Sequence, residues 1–182
     1  QEKVQEFFKR STFSPLKRNE PDLYTKIRVT NNVLTSTARI DSYFSADLAE
    51  FIRQQLLANS ISFTYETVMS HPNKIQFFKL AQLNGYKVYL YYIATEDPEI
   101  NISRVKVRVE QSGHNVPPEA IKNRYYKSLD NLKAAVKQTN RAYIFDNTYS
   151  KANLIAEITN GREVVLNTAV ETPNWVAEYL NE

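Results

Sequence analysis

The sequence predicts an α/β fold with a parallel sheet. Two stretches carry that reading: a strand–helix–strand succession within about 35 residues between Ile61 and Ala94, and an Asn160-Gly161 hairpin signal between two β-rich runs near the C-terminus. A strand–helix–strand unit implies a right-handed crossover between parallel neighbours.

The elements follow in order. Val4, Phe7 and Phe8 recur at helical spacing, and Pro15 and Pro21 break the stretch after them into a loop. Residues 1–40 therefore read as an N-terminal helix with an irregular extension, and 41–182 as the main domain. Phe44, Leu48, Phe51, Ile52, Gln55 and Leu56 line one face of a helix that ends near Ala58. The β-branched and aromatic run Ile61–Val68 predicts a strand. Ser70 or His71 then caps a helix with Pro72 at its first position, Ile75, Phe78 and Ala81 on one face, and Gly85 at its end. The nearly continuous apolar run YKVYLYYIA, residues 86–94, predicts a strand buried on both faces. Helices are expected over Asp97 to about Glu110 and Pro117 to about Gln138, the second burying Ile121, Tyr125, Leu129, Leu132 and Val136. RAYIFDN is a further strand, Asn153–Asn167 the hairpin, and Thr172-Pro173 the start of a last helix through Trp175 and Leu180.

Composition sets the outer limits. At 182 residues, 42% hydrophobic and 24% charged, the chain is long enough for one substantial core. The net charge of +3 fits an anionic small ligand at least as well as a nucleic acid, and no basic stripe or ordered tyrosine platform argues for nucleic acid. There is no cysteine and histidine occurs only at 71 and 114, so no zinc site is expected. No apolar run reaches membrane-spanning length, and the reading is of a soluble, cytoplasmic protein without membrane or nucleic-acid partners.

The chemistry concentrates in RVKVRVEQSGHNVPPEAIKNRYYKSL, Arg104–Leu129. Arg104 and Arg108 lie four apart on one helix face, and Arg124 follows on the next helix across a Gly-His-containing loop. Three converging guanidiniums would suit phosphate oxygens and form a movable lid. Arginines on a solvated helix face would show the same spacing, and spacing alone does not separate the two readings.

These residues, with SFTYETVMSHPNK before them and IFDNT after them, resemble the zeta-toxin-like family of P-loop kinases, in the branch labelled predicted ABC-type ATPase. The similarity runs from about Tyr43 to Thr148. The resemblance implies an αβα sandwich with a mostly parallel sheet, a helical arginine lid and a C-terminal hairpin. It also implies an ATP- and Mg²⁺-dependent kinase acting on a hydroxyl, as family members do on a UDP-N-acetylamino sugar. On it, Arg104, Arg108 and Arg124 are catalytic, Glu66, Thr67 and His114 face the acceptor, and Asp146 and Asn147 lie near the nucleotide. An antitoxin protein is left open as a partner.

One departure is large. Family members carry a glycine-rich phosphate loop with a catalytic lysine, and a second strand with an aspartate base. With glycine only at 85, 113 and 161, nothing here can form that loop. Two explanations stand: an N-terminally incomplete kinase that is inactive as these 182 residues, or a non-catalytic binding module derived from one. The resemblance places the phosphate-loop strand between Ile61–Val68 and Lys87–Ala94. The expectation is that the gap is filled by polypeptide from elsewhere or closed by direct pairing of those two strands, and that residues 1–182 do not form a stable, active monomer.

Overall fold

The structure, a computed structural model, describes residues 2–10, 22–31, 33–38, 40 and 42–180. The loop expected around Pro15 and Pro21 lies outside the described residues. The chain divides into two compact units, 1–64 and 65–182. The sequence reading set its boundary at 40/41; the difference arises because Phe44, on the helix that follows residue 41, is buried in the first unit's own core.

The first unit contains α1 (Glu2–Arg10), a 3-10 turn (Leu23–Lys26), β1 (Ile27–Thr30), β2 (Val33–Ser36) and α2 (Ser42–Ala58). Strands β1 and β2 pair antiparallel, with Asn31 at φ 52° in the connection. Asparagine tolerates that left-handed conformation better than most residues, which makes a tight hairpin feasible. Val4 and Phe8 of α1 bury against Leu23, Ile27, Ala38 and Phe44, and the Phe8 and Phe44 rings stack at 5.0 Å. This hairpin was not predicted.

The second unit holds α3 (Asn73–Leu83), β3 (Tyr89–Ala94), α4 (Pro98–Glu110), α5 (Pro118–Val136), β4 (Arg141–Asp146), β5 (Asn153–Thr159), β6 (Glu163–Leu166) and α6 (Asn174–Leu180). The α/β class holds. The sheet order is β3-β4-β5-β6, with β3–β4 parallel and the other two pairs antiparallel, so it is mixed rather than mostly parallel. The predicted hairpin joins β5 to β6 through Asn160 at φ 54° and Gly161 at φ 66°, the two positive values that this turn chemistry requires. The start of α4 matches its chemistry, Asp97 Oδ1 accepting the Glu99 N–H at 2.8 Å ahead of Pro98; α3 starts one residue later than expected, with Pro72 at the N-cap position and His71 Nδ1 accepting the Asn73 N–H at 3.2 Å from just before it.

Packing is one-sided. Leu90, Tyr92, Ala142, Ile144, Ala156 and Ile158 on one sheet face bury against Phe78 of α3, Leu129, Leu132, Ala135 and Val136 of α5, and Trp175 and Val176 of α6. The opposite face of β3 is exposed: Tyr89 53%, Tyr91 64% and Ile93 58%. This corrects the expectation of a strand buried on both faces, because this unit places no helical layer over its second side. Residues 61–70 form no strand. β-Propensity becomes a strand only when a neighbour supplies the ladder, and no strand next to this segment does so. The edge of β3 away from β4 carries no strand among the described residues, so the expected direct pairing of this strand with Ile61–Val68 is not formed.

Candidate functional site

The carboxyl ends of the parallel strands β3 and β4 bring together the loop that leads into α4, which carries Arg104 and Arg108, and the loop that begins at Asp146 and Asn147. Ligands of open α/β sheets bind at such carboxyl ends. After β3 the chain turns through Thr95–Asp97 into α4; after β4 it turns through Asn147–Tyr149. The two turns are stitched at their base by Asn147 N–H, which donates to the Ala94 carbonyl at 2.7 Å.

Thr148 is the centre of the arrangement. Its hydroxyl donates to Asp146 Oδ1 at 2.8 Å and accepts the Glu96 N–H at 2.9 Å. Its own N–H donates to Asp146 Oδ2 at 3.1 Å, and Trp175 Nε1 donates to Asp146 Oδ1 at 3.2 Å. Asp146 is 5% exposed, and three donors satisfy its carboxylate at the end of β4. On the other side, the buried Thr95 hydroxyl donates to the Asp97 carbonyl at 3.1 Å and accepts from Asn101 Nδ2 at 2.8 Å. Tyr125 of α5 reaches across: its hydroxyl lies 2.8 Å from the Thr95 carbonyl and 3.1 Å from that of Glu96. Burial, followed by the proximity of Tyr92, holds the Tyr125 phenol well above its ordinary pKa, so it stays a neutral donor.

The three arginines expected to form a lid are placed differently. Arg104 Nη2 donates to the Tyr149 carbonyl at 3.1 Å, with the Thr148 carbonyl at 3.4 Å, which sets this guanidinium against the loop after β4. Arg108 Nη2 donates to the His114 carbonyl at 2.9 Å and so ties α4 to the α4–α5 loop. The chain there turns tightly, Gly113 N–H meeting the Arg108 carbonyl at 2.8 Å. Arg124 is exposed and has no hydrogen bond or ion pair among the described residues. Helices α4 and α5 are further joined by Lys122 Nζ and Glu99 Oε1 at 2.6 Å. The helix–loop–helix is therefore present, with two arginines engaged by backbone carbonyls and one unengaged.

The remaining candidates lie as follows. His114 is exposed and contributes its carbonyl to Arg108. Glu66 is exposed in the extended segment, and Thr67 Oγ1 accepts the Met69 N–H at 3.2 Å. That segment is anchored by Met69, which is buried and whose carbonyl accepts from Asn131 Nδ2 at 3.0 Å. A hollow of about 190 Å³ exists under the β5–β6 hairpin, lined by Lys137, Arg162 and Val164 among others, but none of the candidate residues lines it. Thr148, Thr95 and Trp175 were not singled out from sequence; only the Thr in IFDNT hinted at the first. Among the described residues no three His, Asp or Glu side chains gather into a metal-binding group, and no helix is long and apolar enough to cross a membrane.

Comparison with known proteins gives the context. An "Uncharacterized protein" of Haemophilus influenzae is 40% identical over 65 residues, a stretch that covers 36% of this chain and 46% of that protein. The match thus spans about half the length of the relative. No solved structure matches the chain. The sequence profile described as Zeta toxin matches residues 24–157, from the 3-10 turn through β5 and across the entire arginine-bearing hairpin of helices. On that match, which takes in well over half of its residues, the chain belongs to the zeta toxin family, whose domain is P-loop kinase-like.

Proposed function

We propose that the chain is the lid and acceptor part of an ATP-dependent small-molecule kinase, one that transfers the γ-phosphoryl group of ATP to a hydroxyl of an acceptor such as a UDP-N-acetylamino sugar. The family match that contains Arg104, Arg108 and Arg124 carries this reading. In the transfer, a new bond forms between the acceptor oxygen and the γ-phosphorus, the bridging bond to the β-phosphate breaks, and the hydroxyl proton passes to a base. Arg104, held at the carboxyl edge by the Tyr149 carbonyl, and Arg124, free on α5, are the groups best suited to phosphoryl oxygens. Arg108 shapes the loop of the lid through His114. Asp146 acts from beneath by fixing Thr148 rather than by offering its own oxygens to a nucleotide. Glu66 and Thr67 would stand on the acceptor side, and an antitoxin would be a protein partner of the whole molecule.

On this reading the phosphate loop and the base are supplied from outside these residues; glycine at 85, 113 and 161 alone cannot form such a loop. Mg²⁺ fits this reading as an ion carried largely by ATP phosphates and water, because it needs few protein ligands; when bound, it would neutralise charge on the transferring group. The experiment is transfer of labelled phosphate from ATP to UDP-N-acetylglucosamine by the full-length product. Arg124→Ala is expected to reduce transfer by orders of magnitude with unchanged unfolding. Equal activity in variant and parent overturns the lid.

A second reading is a non-catalytic binding module. It is favoured by the engagement of both Arg104 and Arg108 with backbone carbonyls. A nucleotide-dependent rise in melting temperature without phosphate transfer would select it, since a ligand at 100 times its Kd stabilises by about 2.7 kcal/mol.

A further inference from the structure

The hollow beneath the β5–β6 hairpin takes no part in the kinase reading. Its floor is the inner face of the hairpin, where Ala156 pairs with Leu166 and Ile158 with Val164, and α6 adds Val176 and Leu180 to its wall. Side chains on that face normally lie under the helical layer, yet Val164 is 56% and Leu166 47% exposed. β6 is the last strand of the sheet, and the helices leave it incompletely covered. The rim is cationic. Lys133 stands in the last turn of α5, Lys137 just past its end, and Arg162 in the hairpin turn. A Cβ on Gly161 would fall 2.7 Å from Lys137 Cα, so glycine lets the turn approach this closely and Arg162 starts beside Lys137. None of the three cationic side chains has a hydrogen bond or ion pair among the described residues, and no described carboxylate lines the hollow. Glu163 projects from the other face of β6, and Asp130 and Glu178 lie around Tyr179. Lysines at the carboxyl end of a helix complement its dipole without a ligand. Arg162 is not on that helix, and its approach to Lys137 sets like charges close, a cost that an anion offsets.

We propose that this hollow is a binding site for a small amphipathic carboxylate, whose apolar body rests on Ile158, Val164, Leu166 and Val176 while Arg162, Lys133 and Lys137 hold its charge. Shape and chemistry divide the same way: an apolar floor fixes the body, and a few convergent polar groups at one end fix the orientation. A dry cavity of about 150 Å³ admits benzene, so a volume of about 190 Å³ suits one ring with a short chain. A guanidinium beside ammonium groups suits a carboxylate, which accepts at both oxygens. The site is separate from the transfer edge. Thr159 faces Arg141 and Asn153 faces Asp146, so the cationic end of the hollow lies at the start of β4 and the arginine-bearing edge at its end. Six residues of strand put roughly 17 Å between them at about 3.3 Å per residue. A ligand seated here touches none of Arg104, Arg108 and Arg124, and the proposal stands or falls independently of phosphoryl transfer.

The test is a nuclear magnetic resonance titration of the full-length product, labelled at isoleucine, leucine and valine methyls, with hydrocinnamate as the probe. Saturable shifts are expected at Ile158, Val164, Leu166 and Val176, with a Kd of about 1 mM or below. The uncharged amide of the same acid is expected to bind about tenfold more weakly. Joint Lys137→Gln and Arg162→Gln substitution is expected to weaken the acid about tenfold and leave the amide unchanged, which separates charge recognition from a merely apolar pocket. Val164→Asp, at a mostly exposed side chain, sets a carboxylate in the lining and is expected to abolish binding of the acid with an unchanged far-ultraviolet spectrum. The absence of saturable shifts, an amide as tight as the acid, a double variant that binds the acid like the parent, or shifts centred away from the hairpin overturns the proposal. So do methyls that already contact another segment of the full-length chain, which would assign the hollow to that segment.

Discussion

The Thr148 hydroxyl donates to Asp146 Oδ1 at 2.8 Å while accepting the Glu96 N–H at 2.9 Å, so one small side chain locks the loops after β3 and β4 to each other. Thr148→Val keeps the shape and removes both bonds. It also leaves the buried Asp146 carboxylate short of a donor. A loss of about 1–3 kcal/mol in urea unfolding is expected, with Thr148→Ser recovering most of it. A Thr148→Val variant as stable as the parent would show that the lock contributes nothing.

Trp175→Phe isolates a different donor to the same carboxylate. The ring still fills its place beside Tyr92, but the indole N–H at 3.2 Å from Asp146 Oδ1 is gone. Expected destabilisation is about 1–2 kcal/mol, and a double variant with Thr148→Val should deviate from additivity because both act on one carboxylate. Strict additivity in denaturant titrations would argue against a shared network.

Glycine positions separate backbone strain from steric conflict. Gly85 and Gly161 both have positive φ, 83° and 66°. A Cβ at Gly85 meets nothing within 4 Å, whereas one at Gly161 falls 2.7 Å from Lys137 Cα. Gly85→Ala should therefore cost about 1 kcal/mol, the conformational term alone. Gly161→Ala should cost distinctly more, because the hairpin must pull away from the end of α5. Thermal unfolding of the two variants side by side gives the comparison, and equal losses would contradict it.

Alkaline stability follows from the buried phenols. Burial pushes the Tyr92 hydroxyl up to about 12, only partly offset by its bond to Ser128, and Tyr125 is raised for the same leading reason. A raised folded-state pKa favours the neutral phenol, so the contribution is fully present below the unfolded value near 10 and is lost as pH rises through the folded one. Stability should fall between about pH 10 and 12 in step with tyrosinate absorbance, and Tyr92→Phe should flatten that fall. An identical pH profile in the variant would rule out Tyr92 as a source.

Much of this was legible in the sequence because local chemistry and tertiary role agree. The Asp97-Pro98 start, the Asn160-Gly161 turn and the apolar face of α5 each say the same thing at short and long range. The helix–loop–helix of α4 and α5 was legible through its helical spacing and its proline starts. Ile61–Val68 misled because β-branched composition does not reveal whether a neighbour exists. The Tyr89–Ile93 side of β3 misled because an apolar run does not reveal which side is covered. The β1–β2 hairpin was passed over since Asn31-Asn32 is a weaker turn signal than Asn-Gly. Thr148, Thr95 and Trp175 could not be found by motif: each acts through one hydrogen bond to a residue that only the folded topology brings near.

The register shift between β4 and β5 has a consequence for how the chain tolerates change. Ile144 faces Ala156 while Phe145 faces Leu154, so Ile155 is an inserted step that lets two consecutive residues, Ile155 and Ala156, turn inward. It acts as a phase offset between the halves of the sheet. Deleting Ile155 would leave Leu154 opposite Phe145 and Asn153 opposite Asp146 in a regular ladder, but would remove a buried side chain from the core. Length changes in β5 should thus be tolerated at this step rather than within the regular pairs on either side of it, whereas in the connection to β4 Asn147, Thr148 and Tyr149 are tied to Ala94, Asp146, Glu96 and Arg104, which leaves only residues 150–152 open to insertion.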